Sequence, residues 1–110
     1  MSHVASLQLA THDALGGTVQ TLYTVPTGKR TIVKSIVTTN LDSSARIVIF
    51  YVTVGSTEEA SFNVHEAASG AAGDTVILAP WIVLEAGQSL KAQTTGGTSR
   101  VIVSGAELTL

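Results

Sequence analysis

The chain has 110 residues, no cysteine, and a formal net charge of −2 from six Lys plus Arg and eight Asp plus Glu. One hydrophobic core fits that length, and neither a disulfide framework nor a thiolate metal site is available. Scattered basic residues give no electrostatic footprint for nucleic acid, and a charged fraction of 13% is low against the roughly 25% of ordinary soluble domains.

Runs rich in Val, Thr and Ile recur between turn residues, and no 3.6-residue period is sustained over three turns. That pattern predicts one all-β domain over residues 1–110, an antiparallel β-sandwich of jelly-roll type. The predicted strands cover 4–10, 19–25, 30–39, 46–54, 62–65, 75–79, 81–84, 89–94 and 99–108. The start, Met1-Ser2-His3-Val4, lacks the cationic and long apolar regions of a secretory signal. No apolar run approaches the roughly 20 residues of a membrane span. A soluble protein made in a cytoplasm, with no membrane partner, is expected.

After the second strand, Val25-Pro26-Thr27-Gly28 fits a type II turn, because Pro26 presets φ and Gly28 tolerates φ > 0. Leu41-Asp42-Ser43-Ser44-Ala45 is a polar reversal between the third and fourth strands. The fourth run, 46–54, is apolar on both parities: Ile47, Ile49 and Tyr51 alternate with Val48, Phe50 and Val52. A sandwich strand ordinarily shows one face to water, so a second apolar face implies a cover, and another copy of the protein is the expected one. Ile47, Ile49, Tyr51 and Trp81 are the candidate subunit interface.

From 55 to 74 a long loop is expected around the brief run 62–65, with at most a helical turn near Glu58 and Ala60. Pro80 cannot donate to a ladder, so 75–84 holds an edge strand, a bulge or a corner between sheets, and the corner is favoured. Trp81 is expected to fill a core or an interface. Gly87 marks a reversal within Glu85-Ala86-Gly87-Gln88, and Gly96-Gly97 reads as a hairpin that pairs the last two strands.

Catalytic patterns are weak. His3, His12 and His65 are far apart in sequence and form no H-x-H or H-E-x-x-H pair, so no metal and no cofactor are expected. His12-Asp13, His65-Glu66 and Glu58-Glu59 are sequence neighbours, which a strand sends to opposite faces. No G-x-S-x-G elbow occurs, and Gly16-Gly17 and the segment 70–73 precede β-type sequence rather than a phosphate-binding helix. No enzymatic activity is expected.

The run Leu22-Tyr23-Thr24-Val25-Pro26-Thr27-Gly28-Lys29, with Ile32-Val33-Lys34-Ser35-Ile36, Asn40 and the apolar 46–54 strand, resembles small β-sandwich structural proteins of tailed bacteriophages. Leu84-Glu85-Ala86-Gly87-Gln88-Ser89-Leu90 and Val101-Ile102-Val103-Ser104-Gly105 extend the likeness to the C-terminus. The resemblance implies a virion component, foremost a capsid decoration or cement protein. A head-fibre base or a neck or tail accessory is the alternative. It also implies a homo-oligomer, a trimer first, seated on other virion proteins such as the major capsid protein, and it carries no catalytic residues. From a different class, a carbohydrate-binding module remains an alternative, with Trp81 as its platform.

Overall fold

Residues 3–110, which the computed structural model describes together with the side chains of 7–12 and 14–110, form nine strands. These are β1 (His3–Leu15), β2 (Gln20–Thr24), β3 (Lys29–Asn40), β4 (Arg46–Val54), β5 (Thr57–Glu66), β6 (Thr75–Leu78), β7 (Ile82–Leu84), β8 (Gln88–Thr94) and β9 (Ser99–Thr109). They build two antiparallel sheets, ordered β1-β9-β3-β6 with β7 also on β3, and β2-β8-β4-β5. The chain crosses between sheets at nearly every connection. With β6 and β7 counted as one interrupted strand, this wiring is a jelly roll.

Alternation along the strands places the core. Val33, Ile36, Val101 and Val103 point inward from the first sheet and meet Val48, Phe50, Leu90 and Ala92 from the second, all essentially buried. Each of the larger ones, Ala92 aside, contributes about 1.5–3 kcal/mol on burial, so this double layer is the main source of stability. Phe50 stacks on Phe62 of β5 with centroids 5.0 Å apart, which ties the edge strand to the core.

Two turns close one end. Lys29 N donates to Pro26 O at 3.2 Å and Gly28 lies at φ 79°, so the type II turn runs from Pro26 to Lys29, one residue later than expected, with Gly28 at its third position. Gln88 N donates to Glu85 O at 3.0 Å around Gly87 at φ 86°. The turns are joined by Val25 N to Gln88 O and Gly87 N to Val25 O, both 3.0 Å. At the other end, buried Asn40 organises the predicted reversal: its Nδ2 donates to Ser44 O and Ala67 O, and its Oδ1 accepts from Asp42 N.

Four expectations are corrected. The expected strand 62–65 is present but longer: 57–61 is strand too, rather than loop or helical turn, because β4 supplies the ladder, and Phe62, Val64 and Glu66 fall on one parity facing Phe50, Val48 and Arg46. The long loop shrinks to 67–74. The Gly96-Gly97 link does not join a hairpin: β8 pairs with β2 and β4, whereas β9 pairs with β1 and β3, so this link crosses between sheets. The favoured corner at Pro80 is not a change of sheet: β6 and β7 both pair with β3, because Pro80 only interrupts the ladder of one edge. Of the two places expected for Trp81, the core is excluded, since it lies outside β7 and is 62% exposed. The predicted first strand overlaps β1, but the side chains of 3–6 lie outside the described residues.

Candidate functional site

The β6–β7 ribbon is a broken edge. Val76 and Leu78 pair with Thr38 and Ile36, and Ile82 and Leu84 pair with Val33 and Thr31, all on the inward parity. Between the two strands Pro80 has no N–H to give the ladder, and pairing stops. Trp81 then sits at φ 51°, a left-handed conformation that costs a non-glycine residue about 1–3 kcal/mol.

The opposite parity faces outward and is apolar. Ile77 is 72% exposed, Trp81 62% and Val83 52%. Ile77 lies opposite Val37 and Val83 opposite Ile32, two half-buried residues of β3, so the exposed strip continues onto the next strand. Lys34 holds its ammonium 5.5 Å from the Trp81 ring centroid, a cation–π contact that orients the indole at the surface.

Beside the strip, the two sheets leave an open cleft of about 390 Å³ between β5 and the ribbon, lined by Phe62, Leu78, Ala79, Pro80 and Ile82. Its walls carry no ionisable side chain. Ribbon and cleft together offer apolar surface for docking and no group for bond-making chemistry.

The predicted interface residues do not form one patch. Ile47, Ile49 and Tyr51 lie on the outer face of the second sheet, half-buried, whereas Trp81 lies at the edge of the first. Polar neighbours flank that β4 face: His65, Asn63 and Ser61 stand opposite Ile47, Ile49 and Tyr51 on β5, with Gln93 and Lys91 on β8. Tyr51 Oη donates to Gln93 Oε1 at 3.2 Å and Lys91 Nζ reaches Gly55 O at 3.1 Å. Ile77, Val83 and the cleft were not anticipated. The signal for them is the uncharged run 75–84, apolar on both parities like β4.

Several titratable groups are engaged structurally, while His12 Nε2 and Glu66 Oε2 are buried without a hydrogen-bond partner. Among the described residues no three His, Asp or Glu side chains gather as metal ligands; those of His3 and Asp13 lie outside the described residues. Buried Glu66 accepts from Ser99 Oγ at 2.7 Å, and Glu58 and Glu59 are exposed on β5. Arg46 pairs with Asp42 at 2.6 Å and holds that carboxyl below its usual range through their hydrogen bond. Tyr23 of β2 donates to Glu107 of β9 at 2.5 Å, and Lys29 Nζ lies 3.1 Å from the same carboxylate, a clamp between the sheets. The Tyr23 hydrogen bond, then that of Lys29, lowers the Glu107 pKa. Burial, then Glu107, raises that of Tyr23.

No family model and no curated protein matches the chain. Among solved structures it is similar to the core of the Drosophila protein NLP, described for pentamer formation and histone binding, at 13% identity, TM-score 0.49 and 96% coverage of both chains. It is also similar to the chain of the T13 particle of infectious bursal disease virus, at 12% identity and TM-score 0.49, over 100% of this chain and 31% of that one. For the Gx strain of that virus the values are 14% and 0.44, over 97% and 31%. The chain thus spans about a third of the length of the viral chains it matches.

Proposed function

We propose that this chain is a non-enzymatic structural protein that acts by assembling with copies of itself on a larger protein shell. The carrying observation is the outward strip of Ile77, Trp81 and Val83, 72%, 62% and 52% exposed on a domain with few charges. Exposed apolar patches of this kind mark interaction surfaces. The finer reading is a virion component, located in the particle, that decorates and stabilises a phage capsid, with a neck or tail accessory as the alternative. A protein that binds the assembled shell but not its dissociated subunits stabilises the shell by its binding free energy. Many symmetric copies raise that effect through avidity.

The test is co-sedimentation of purified protein with phage heads lacking it and, separately, with tails. Saturable binding that raises the dissociation temperature of heads supports decoration, and binding to tails alone moves the role there. Absence from both removes the virion reading.

Exposure of Trp81 also favours a second reading, a carbohydrate-binding module with the indole as a stacking platform. Calorimetric titration against a glycan panel decides it: saturable binding lost in Trp81→Ala supports the module, and no heat across the panel removes it.

A further inference from the structure

We infer that two copies of this chain pair about a two-fold axis by each inserting Trp81 into the other's Phe62–Leu78–Pro80–Ile82 cleft. This rests on the assembly reading above and names the partner and the contact. A strained backbone and an exposed indole coincide at one residue. Trp81 holds φ 51° with its ring 62% exposed, so the unfavourable conformation is used to project a large apolar side chain into solvent. Strain at such a position points to function.

The receptor lies next to the knob. The cleft, about 390 Å³ and walled by apolar side chains, includes both chain neighbours of Trp81, Pro80 and Ile82. A surface that carries knob and hole side by side is self-complementary, the condition for an isologous pair in which residue i meets j and j meets i. Three-fold closure, expected from the resemblance, needs knob and hole on different faces and is not reached by this contact alone.

Charge and area fit the same occupant. The segment 75–84 contains no ionisable residue, so the two ribbons bring no like charges together, and Lys34, held 5.5 Å from the Trp81 ring centroid, swings off the ring as the indole inserts. A stable pair removes about 800 Å² from each partner, about one-seventh of this subunit's 5582 Å². The ribbon runs beside β3 from Thr39 to Thr31, about 27 Å at 3.3–3.4 Å per residue, and two strand widths plus one sheet-to-sheet gap span about 20 Å. That footprint of roughly 540 Å² grows toward the required area once side-chain relief and cleft walls are counted. Edge-to-edge strand pairing is disfavoured, because Pro80 and the shortness of β6 and β7 interrupt the ladder.

Trp81 is the sequence's single tryptophan, so its fluorescence reports on this contact without labelling. As concentration rises from nanomolar to high micromolar, mass by light scattering should double. In step, Trp81 emission should shift to the blue and its quenching by acrylamide should fall at least two-fold. Ala79→Glu changes an exposed cleft residue and leaves the probe in place. With unchanged far-ultraviolet circular dichroism, it should weaken pairing at least ten-fold and keep Trp81 emission red.

An oligomer whose Trp81 stays fully quenchable overturns this contact while the assembly reading stands. So does an Ala79→Glu protein that still pairs with a blue-shifted Trp81, and a trimer with Trp81 buried overturns the two-fold pairing. A monomer at every concentration overturns both the contact and self-assembly.

Discussion

Strand β4 and the β6–β7 ribbon have the same kind of sequence, apolar on both parities and free of charge after Arg46, yet the fold treats them oppositely. Strand β4 lies between β8 and β5, and its outward Ile47, Ile49 and Tyr51 are half-buried among side chains of those neighbours. The ribbon has β3 on one side only, and its outward Ile77 and Val83 stay 72% and 52% exposed. Exposure therefore follows place in the sheet rather than composition. A two-faced apolar strand is a stronger sign of docking at an edge than in the middle.

The contrast is broken first by truncation. Phe50→Ala in the centre should cost about 3–5 kcal/mol in urea unfolding, whereas Ile77→Ala should stay within about 0.5 kcal/mol for the monomer. Comparable losses at the two sites would remove the distinction. Glycines repeat the comparison at backbone level. A Cβ on Gly105, in β9 between β1 and β3, would lie 1.9 Å from Ile32 O, so Gly105→Ala should cost about 3 kcal/mol, the upper end for overpacking. Gly28, at a turn tip with φ 79°, has nothing within 4 Å of its Cβ position. Gly28→Val should therefore cost only the conformational term, about 1 kcal/mol. Thermal melts rank the two variants, and the reverse order would show that β3 gives way at the register shift between Val33 and Ser35, opposite Gly105.

The smallest expected effect concerns the Tyr23–Glu107–Lys29 clamp. The Glu107 pKa is lowered in the folded state, so its contribution to stability is full above the ordinary glutamate pKa and is lost as pH falls through the lowered value. Wild type should thus exceed Glu107→Gln in melting temperature near neutrality, with the gap closing on the acid side. A gap that persists in strong acid would mean that the carboxylate charge is not what holds the clamp.

Much of the architecture was legible in the chain. Alternation and turn residues mark the two-sheet β class, and Gly28 and Gly87 sit at φ > 0. Pro80 marks a break, but in one edge rather than at the favoured corner between sheets. What failed has a common cause. Gly96-Gly97 carries hairpin chemistry, but pairing is decided by strands distant in sequence, and β9 finds β1 and β3 instead. Likewise Thr57 to Ser61 have weak strand character and become strand because β4 templates them. The docking strip shared its signal with β4, and only sheet order separates the two.

The most direct test of the edge as the association surface is mass by light scattering on wild type, Ile77→Lys/Val83→Lys and Ile49→Lys, each checked for native circular dichroism. Wild type and Ile49→Lys should be oligomers, and the edge double variant a folded monomer. An edge double variant that keeps the wild-type mass while Ile49→Lys dissociates would contradict this and place the interface on the outer face of β4.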